Sequence, residues 1–221
     1  MAEHEEPEKI WDEYDWERFL QQQDRKTEKY MELLEKHIDD PDRDQIIARE
    51  MGWYHLLDDD GHDWAENVDS LFSEEMEAMG GDAVVPGSSM EETAGFEIHP
   101  LYKASFALTI WIDQLFDDIG DIQNHPSAVK LATSSAIASA KLAAALSDDD
   151  VDEIGMTIAY LKRALRAITN AMEAGMQLKQ EISMPNERYA TLQHRLFQIR
   201  DGIITLMGEY RTEWRRRFGS S

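Results

Sequence analysis

The chain has 221 residues, 42% of them hydrophobic, no cysteine and a formal net charge of −23. That length and apolar content suffice for a packed core, while the missing cysteine excludes disulfides, thiolate metal sites and cysteine nucleophiles. The charge opposes direct binding to nucleic acid or anionic lipid, since like charges repel over a Debye length of about 8 Å at physiological salt.

The acid is concentrated in one part of the chain. Residues 1–98 carry 30 Asp and Glu against 8 Lys and Arg, whereas residues 99–221 carry 15 against 14. The step divides an acidic, Trp-rich helical region (1–79) and a loop or linker (80–98) from a nearly neutral region (99–221). The start, MAEHEEPEK, has no basic stretch leading into an apolar run, and nowhere do 18 apolar residues follow one another. A cytoplasmic location without a membrane span is therefore expected.

The first helix has clear start signals. Asp12 is placed to cap it, with Asp15 in the capping-box position and Trp11 and Trp16 spaced as a hydrophobic staple. Trp16, Phe19, Leu20, Gln23, Thr27, Tyr30, Leu34, His37 and Ile38 then share one face, and Asp40-Pro41 marks the stop. A second helix is predicted from about residue 43 to 57, with Ile46, Ile47, Tyr54 and Leu57 buried. A third is predicted from about 63 to 79, with a stripe of Trp64, Val68, Leu71, Phe72 and Met76. Residues 80–98 hold four Gly, one Pro and no periodic pattern, which reads as a loop.

Beyond it the pattern is helical throughout. Pro100 and Pro126 suit first helical positions after His99 and His125, giving helices of about 100–123 and 126–146. The second of these is rich in Ala, Ser and Thr, which lets a neighbour approach closely, and Lys130 and Lys141 argue against a membrane location. Ser147 is expected to cap the next helix, with Asp148, Asp149 and Asp150 in its first turn. Heptad spacing then runs through Val151, Ile154, Ile158, Leu161, Leu165, Ile168, Met172, Gly175 and Ile182. After Pro185 it runs through Tyr189, Leu192, Leu196, Ile199, Ile203, Leu206 and Tyr210. Two such helices joined by a tight break predict an antiparallel hairpin. The expected fold is all-α, an up-and-down four-helix bundle over about 99–218 with additional N-terminal helices packed on it.

Candidate chemistry is sparse. Asp117, Asp118 and Asp121 match the DDxxD spacing with which isoprenoid synthases hold Mg²⁺ on a pyrophosphate. The helical wheel sets Asp113, Asp117 and Asp121 opposite the arc of Leu108, Trp111, Ile112, Leu115, Phe116, Ile119 and Ile122, so they are expected in water. A ferritin-like di-iron site needs inward Glu-x-x-His pairs, which the four helices lack. Arg188 with His194, and Arg49 with His55, fit the Arg-x₄₋₆-His spacing of all-helical ribonucleases at a frequency expected by chance. The segment 56–62 fails both as a phosphohydrolase motif, because Asp58 replaces a metal-binding His, and as a calcium loop.

Two features favour binding. Trp11, Tyr14 and Trp16 alternate with carboxylates at the start of the first helix. Arg211, Arg215, Arg216 and Arg217 give the last helix a basic end, complementary to the acidic region. The sequence therefore suggests a non-enzymatic helical interaction protein with no cofactor, whose partner is another protein or a second copy. The alternatives are a helical enzyme or divalent-metal binder using the Asp113–Asp121 face, and an acidic mimic of DNA charge.

Overall fold

The computed structural model describes residues 10–54, 95–120, 122–147, 153–182 and 184–219. Among them every regular element is helical: α1 (Glu13–His37), α2 (Arg43–Met51), a 3₁₀ turn (Gly95–Ile98), α3 (Pro100–Ile119), α4 (Pro126–Leu146), α5 (Ile154–Glu181) and α6 (Asn186–Phe218). The helix predicted over 63–79, the segment 56–62 and Leu57 lie outside the described residues. The chain divides into two compact units, residues 19–92 and residues 1–18 with 93–221, so that one boundary falls inside α1.

In the larger unit each of α3 to α6 packs on the next, and α6 returns to α3. Short connections between long helices favour antiparallel neighbours, and the packing is consistent with a bundle. The local causes are readable at each start. His99 and His125 adopt extended backbone before Pro100 and Pro126. Their Nδ1 atoms accept the amides of Leu101 at 3.2 Å and Ser127 at 3.3 Å, so that each histidine caps the helix its proline begins. Helix α3 stops at Ile119 rather than near 123, because Gly120 leaves the helix at φ 84°, a conformation open chiefly to glycine.

The core is formed by Leu108, Ile112, Leu115, Leu131, Leu142, Leu161, Ile168, Leu178, Leu192, Leu196 and Ile203, each at most 1% exposed. Burying one such side chain contributes roughly 1.5–3 kcal/mol. The small residues of α4 do bring it close to α5, its most extensive partner, and α5 answers with buried Ala159, Ala164, Ala167, Ala171 and Ala174. By length and composition alone α4 is long and apolar enough to cross a membrane, yet it carries two lysines and lies within this packing. Ser147 corrects an expectation: it closes α4, donating its hydroxyl to the Ala143 carbonyl at 2.7 Å, and α5 begins only at Ile154. Asp148, Asp149 and Asp150 lie outside the described residues.

In the smaller unit, α2 ends at Met51, short of the predicted 57. Gly52 takes a left-handed φ of 79°, and the amides of Gly52 and Trp53 bond back to the Arg49 and Ala48 carbonyls. Trp53 packs on Tyr30 with ring centres 6.0 Å apart. Ile47 is fully buried, as expected, but Tyr54 is 62% exposed because the chain has already left the helix.

Candidate interaction site at the start of α1 and the end of α6

The site begins with the cap of α1. One carboxylate oxygen of Asp12 accepts the amides of Tyr14 and Asp15, both at 2.8 Å, and Asp15 reaches back to the Asp12 amide at 3.4 Å. The Trp11 and Trp16 rings meet edge to face at 5.0 Å. Cap and staple together fix how the chain enters the helix, which sets Glu13 and Glu17, four residues apart, on one face.

That face meets cations of the bundle. Arg211 grips Glu13 with two parallel bonds, Nε to Oε1 at 3.1 Å and Nη2 to Oε2 at 2.8 Å, the fork geometry suited to a carboxylate. The hydrogen bonds that Arg211 donates to Glu13 hold its guanidinium above its ordinary pKa. Lys162 lies 3.8 Å from the same carboxylate and 4.7 Å from the centre of the Tyr14 ring, and Arg163 pairs with Glu17 at 3.4 Å. Partly exposed pairs of this kind contribute about 0–1 kcal/mol each, and the lysine on the ring about 0.5–1 kcal/mol.

Closeness here depends on Gly155. A Cβ built on it would lie 2.5 Å from the Trp11 carbonyl oxygen and 3.0 Å from the Trp16 ring, so only glycine admits the N-terminal backbone. Beside this contact a cleft of about 150 Å³ opens between Tyr14, Ile158, Arg211, Trp214 and Arg215. Tyr14 is 63% and Trp11 39% exposed.

Of the candidate interaction residues, the structure brings Trp11, Tyr14, Trp16, Arg211 and Arg215 to this one place. Arg216 and Arg217 turn instead to Glu213 on their own helix, three and four residues back. Their hydrogen bonds hold the Glu213 carboxyl down to about 2. Sequence reasoning missed Gly155, Lys162 and Arg163. Lys162-Arg163 is the one adjacent basic pair in α5, a signal that charge mapping along that helix would find.

The other candidates disperse. Asp113 and Asp117 are exposed, as the wheel predicts, and Asp118 is exposed beside them; Asp117 accepts from Gln123 at 3.1 Å and Asp118 pairs with Arg188 at 2.6 Å. Asp121 and His55 lie outside the described residues, and His194 is exposed. Among the described residues no group of three or more His, Asp or Glu side chains is placed to hold a metal ion. The buried polar side chains there are all hydroxyl-bearing, including a Ser105–Ser139 pair at 2.7 Å joining α3 to α4. Between α5 and α6 runs an apolar groove of about 250 Å³ lined by Met172, Met176, Tyr189, Leu192 and Phe197. Comparison with protein-family models, with curated proteins and with solved structures finds no match to this chain.

Proposed function

We propose that this chain is a non-enzymatic helical interaction protein that contacts a protein partner, or a second copy of itself, through the bundle end where α1 begins and α6 finishes. The observation that carries the reading is the meeting of an acidic, aromatic helix start with Lys162, Arg163, Arg211 and Arg215, in which Tyr14 and Trp11 still present large apolar surface to solvent. Exposed aromatic and arginine side chains side by side are the residue types that dominate the energetics of protein interfaces.

The test is capture on the immobilised full chain from an extract of its own source, with sedimentation to detect self-association. A rim variant, Tyr14→Lys with Arg215→Glu, serves as the comparison. The wild-type chain should retain one species at fixed stoichiometry, or form a defined oligomer, and the variant should lose it at unchanged helicity. Retention by the variant would place the contact elsewhere, and an inert monomer that captures nothing would overturn the reading.

A further inference from the structure

The bundle end described above already holds a peptide-like segment. Residues 11–17 present it with a bidentate carboxylate at Glu13, a second carboxylate one turn later at Glu17, a ring beneath Lys162 at Tyr14, and Trp16 over the notch at Gly155. These are recognition elements of a kind that any acidic, tryptophan-bearing helix start supplies. The holding is shallow, because α1 has no buried residue along its described length. Its polar contacts are partly exposed, the kind that salt screens and that forms and breaks readily. In a chain of net −23 three cations converge on this one segment, and charge complementarity selects what sits against them.

We propose that Lys162, Arg163, Arg211 and the Gly155 notch form a receptor site for acidic, tryptophan-bearing helix starts, occupied at rest by the chain's own residues 11–17 and open to exchange with such a segment on a partner protein. The inference rests on the reading of the chain as an interaction protein and names the chemistry of the partner. The tethered segment competes from within the same chain, so an incoming segment binds with an apparent affinity reduced in proportion to the fraction of time the site is vacant. Loosening the resident segment therefore strengthens binding in trans.

The probe is a fluorescent peptide of residues 10–24, titrated by anisotropy against the full chain. Three proteins are compared: wild type, a loosened chain (Glu13→Gln with Trp16→Ala), and the loosened chain also carrying Lys162→Gln and Arg211→Gln. The peptide should saturate the loosened chain about tenfold more tightly than wild type, a difference that corresponds to about 1.4 kcal/mol. Binding should weaken with added salt and disappear in the chain lacking both cations. It should also disappear when Ala replaces Trp11 and Trp16 in the peptide, which separates recognition from attraction between opposite charges. Gly155→Ala in the loosened chain is a second variant, and it should block the peptide by filling the notch while leaving helicity intact. No saturable binding to the loosened chain up to about 1 mM peptide would overturn the proposal. So would binding that survives loss of both cations. A partner captured through the rim without any peptide binding would sink this inference alone and leave the interaction reading standing.

Discussion

Gly155 and Gly175 lie on the same helix and differ in what a methyl group would meet. At Gly155 the obstacle is the Trp11 backbone at 2.5 Å, whereas at Gly175 it is the Leu192 side chain at 3.1 Å, beside a groove with room for that side chain to shift. Alanine is favoured over glycine inside a helix by up to about 1 kcal/mol. Gly175→Ala is therefore expected to leave stability unchanged or raise it by up to about 1 kcal/mol, and a loss of that size in denaturant unfolding would contradict the packing. Glu213 supplies a second test at this scale. Its carboxyl is held at about 2, below the ordinary 4.5, first by the hydrogen bond from Arg216 and next by that from Arg217. A depressed carboxylate contributes stability above its unfolded pKa and loses it as pH falls through the folded value. The contribution of these pairs should thus be full at neutral pH and be lost as pH falls from 4.5 toward about 2. Observed by NMR, the Glu213 midpoint should return toward the ordinary value when Arg216 and Arg217 are both changed to Gln; an ordinary midpoint in the unaltered chain would refute the pairing.

At the scale of the helices, what was legible in the sequence depended on range. The cap at Asp12 and the staple of Trp11 with Trp16 act within five residues, so their spacing alone announces them. Heptads marked Leu161, Ile168, Leu192, Leu196 and Ile203, all buried, but they passed over Leu178, which is fully buried. In α5 the alanines and glycines widen the buried stripe beyond the two heptad seams, and a pattern built on large side chains does not register small ones. Leu165 shows the converse, since it sits on the seam and is only partly buried. Leu178→Ala and Leu196→Ala should each cost about 2–5 kcal/mol and Leu165→Ala less; equal costs at Leu165 and Leu196 would contradict the burial assigned to them. Helix ends were read less well than helix cores. Gly52 and Gly120 end their helices through local backbone geometry, against which an apolar pattern continuing past them carries little weight.

For the chain as a whole, the uneven charge pointed to the basic end of α6 as the complement of the acidic start, and Arg211 does meet Glu13. The remaining partners were not legible, because Arg163 and Glu17 are brought together by the packing of helices 146 residues apart in sequence, which no local pattern encodes. The sequence also gave no sign that the first residues of α1 belong to the same compact unit as the bundle while the rest of that helix belongs to the other.

The central claim is that residues 11–17 are held on the bundle by Arg211, Lys162, Arg163 and the Gly155 notch. Hydrogen exchange of the Trp16, Glu17 and Arg18 amides, followed at low and high salt, tests it most directly. Exchange at these amides is expected to be slow in the wild-type chain and faster by about tenfold or more in both Arg211→Gln and Gly155→Ala, while the amides of α3 to α6 keep their protection. Added salt should reproduce the effect of Arg211→Gln. Equal exchange at these three amides in all three proteins, at either salt concentration, would contradict the account.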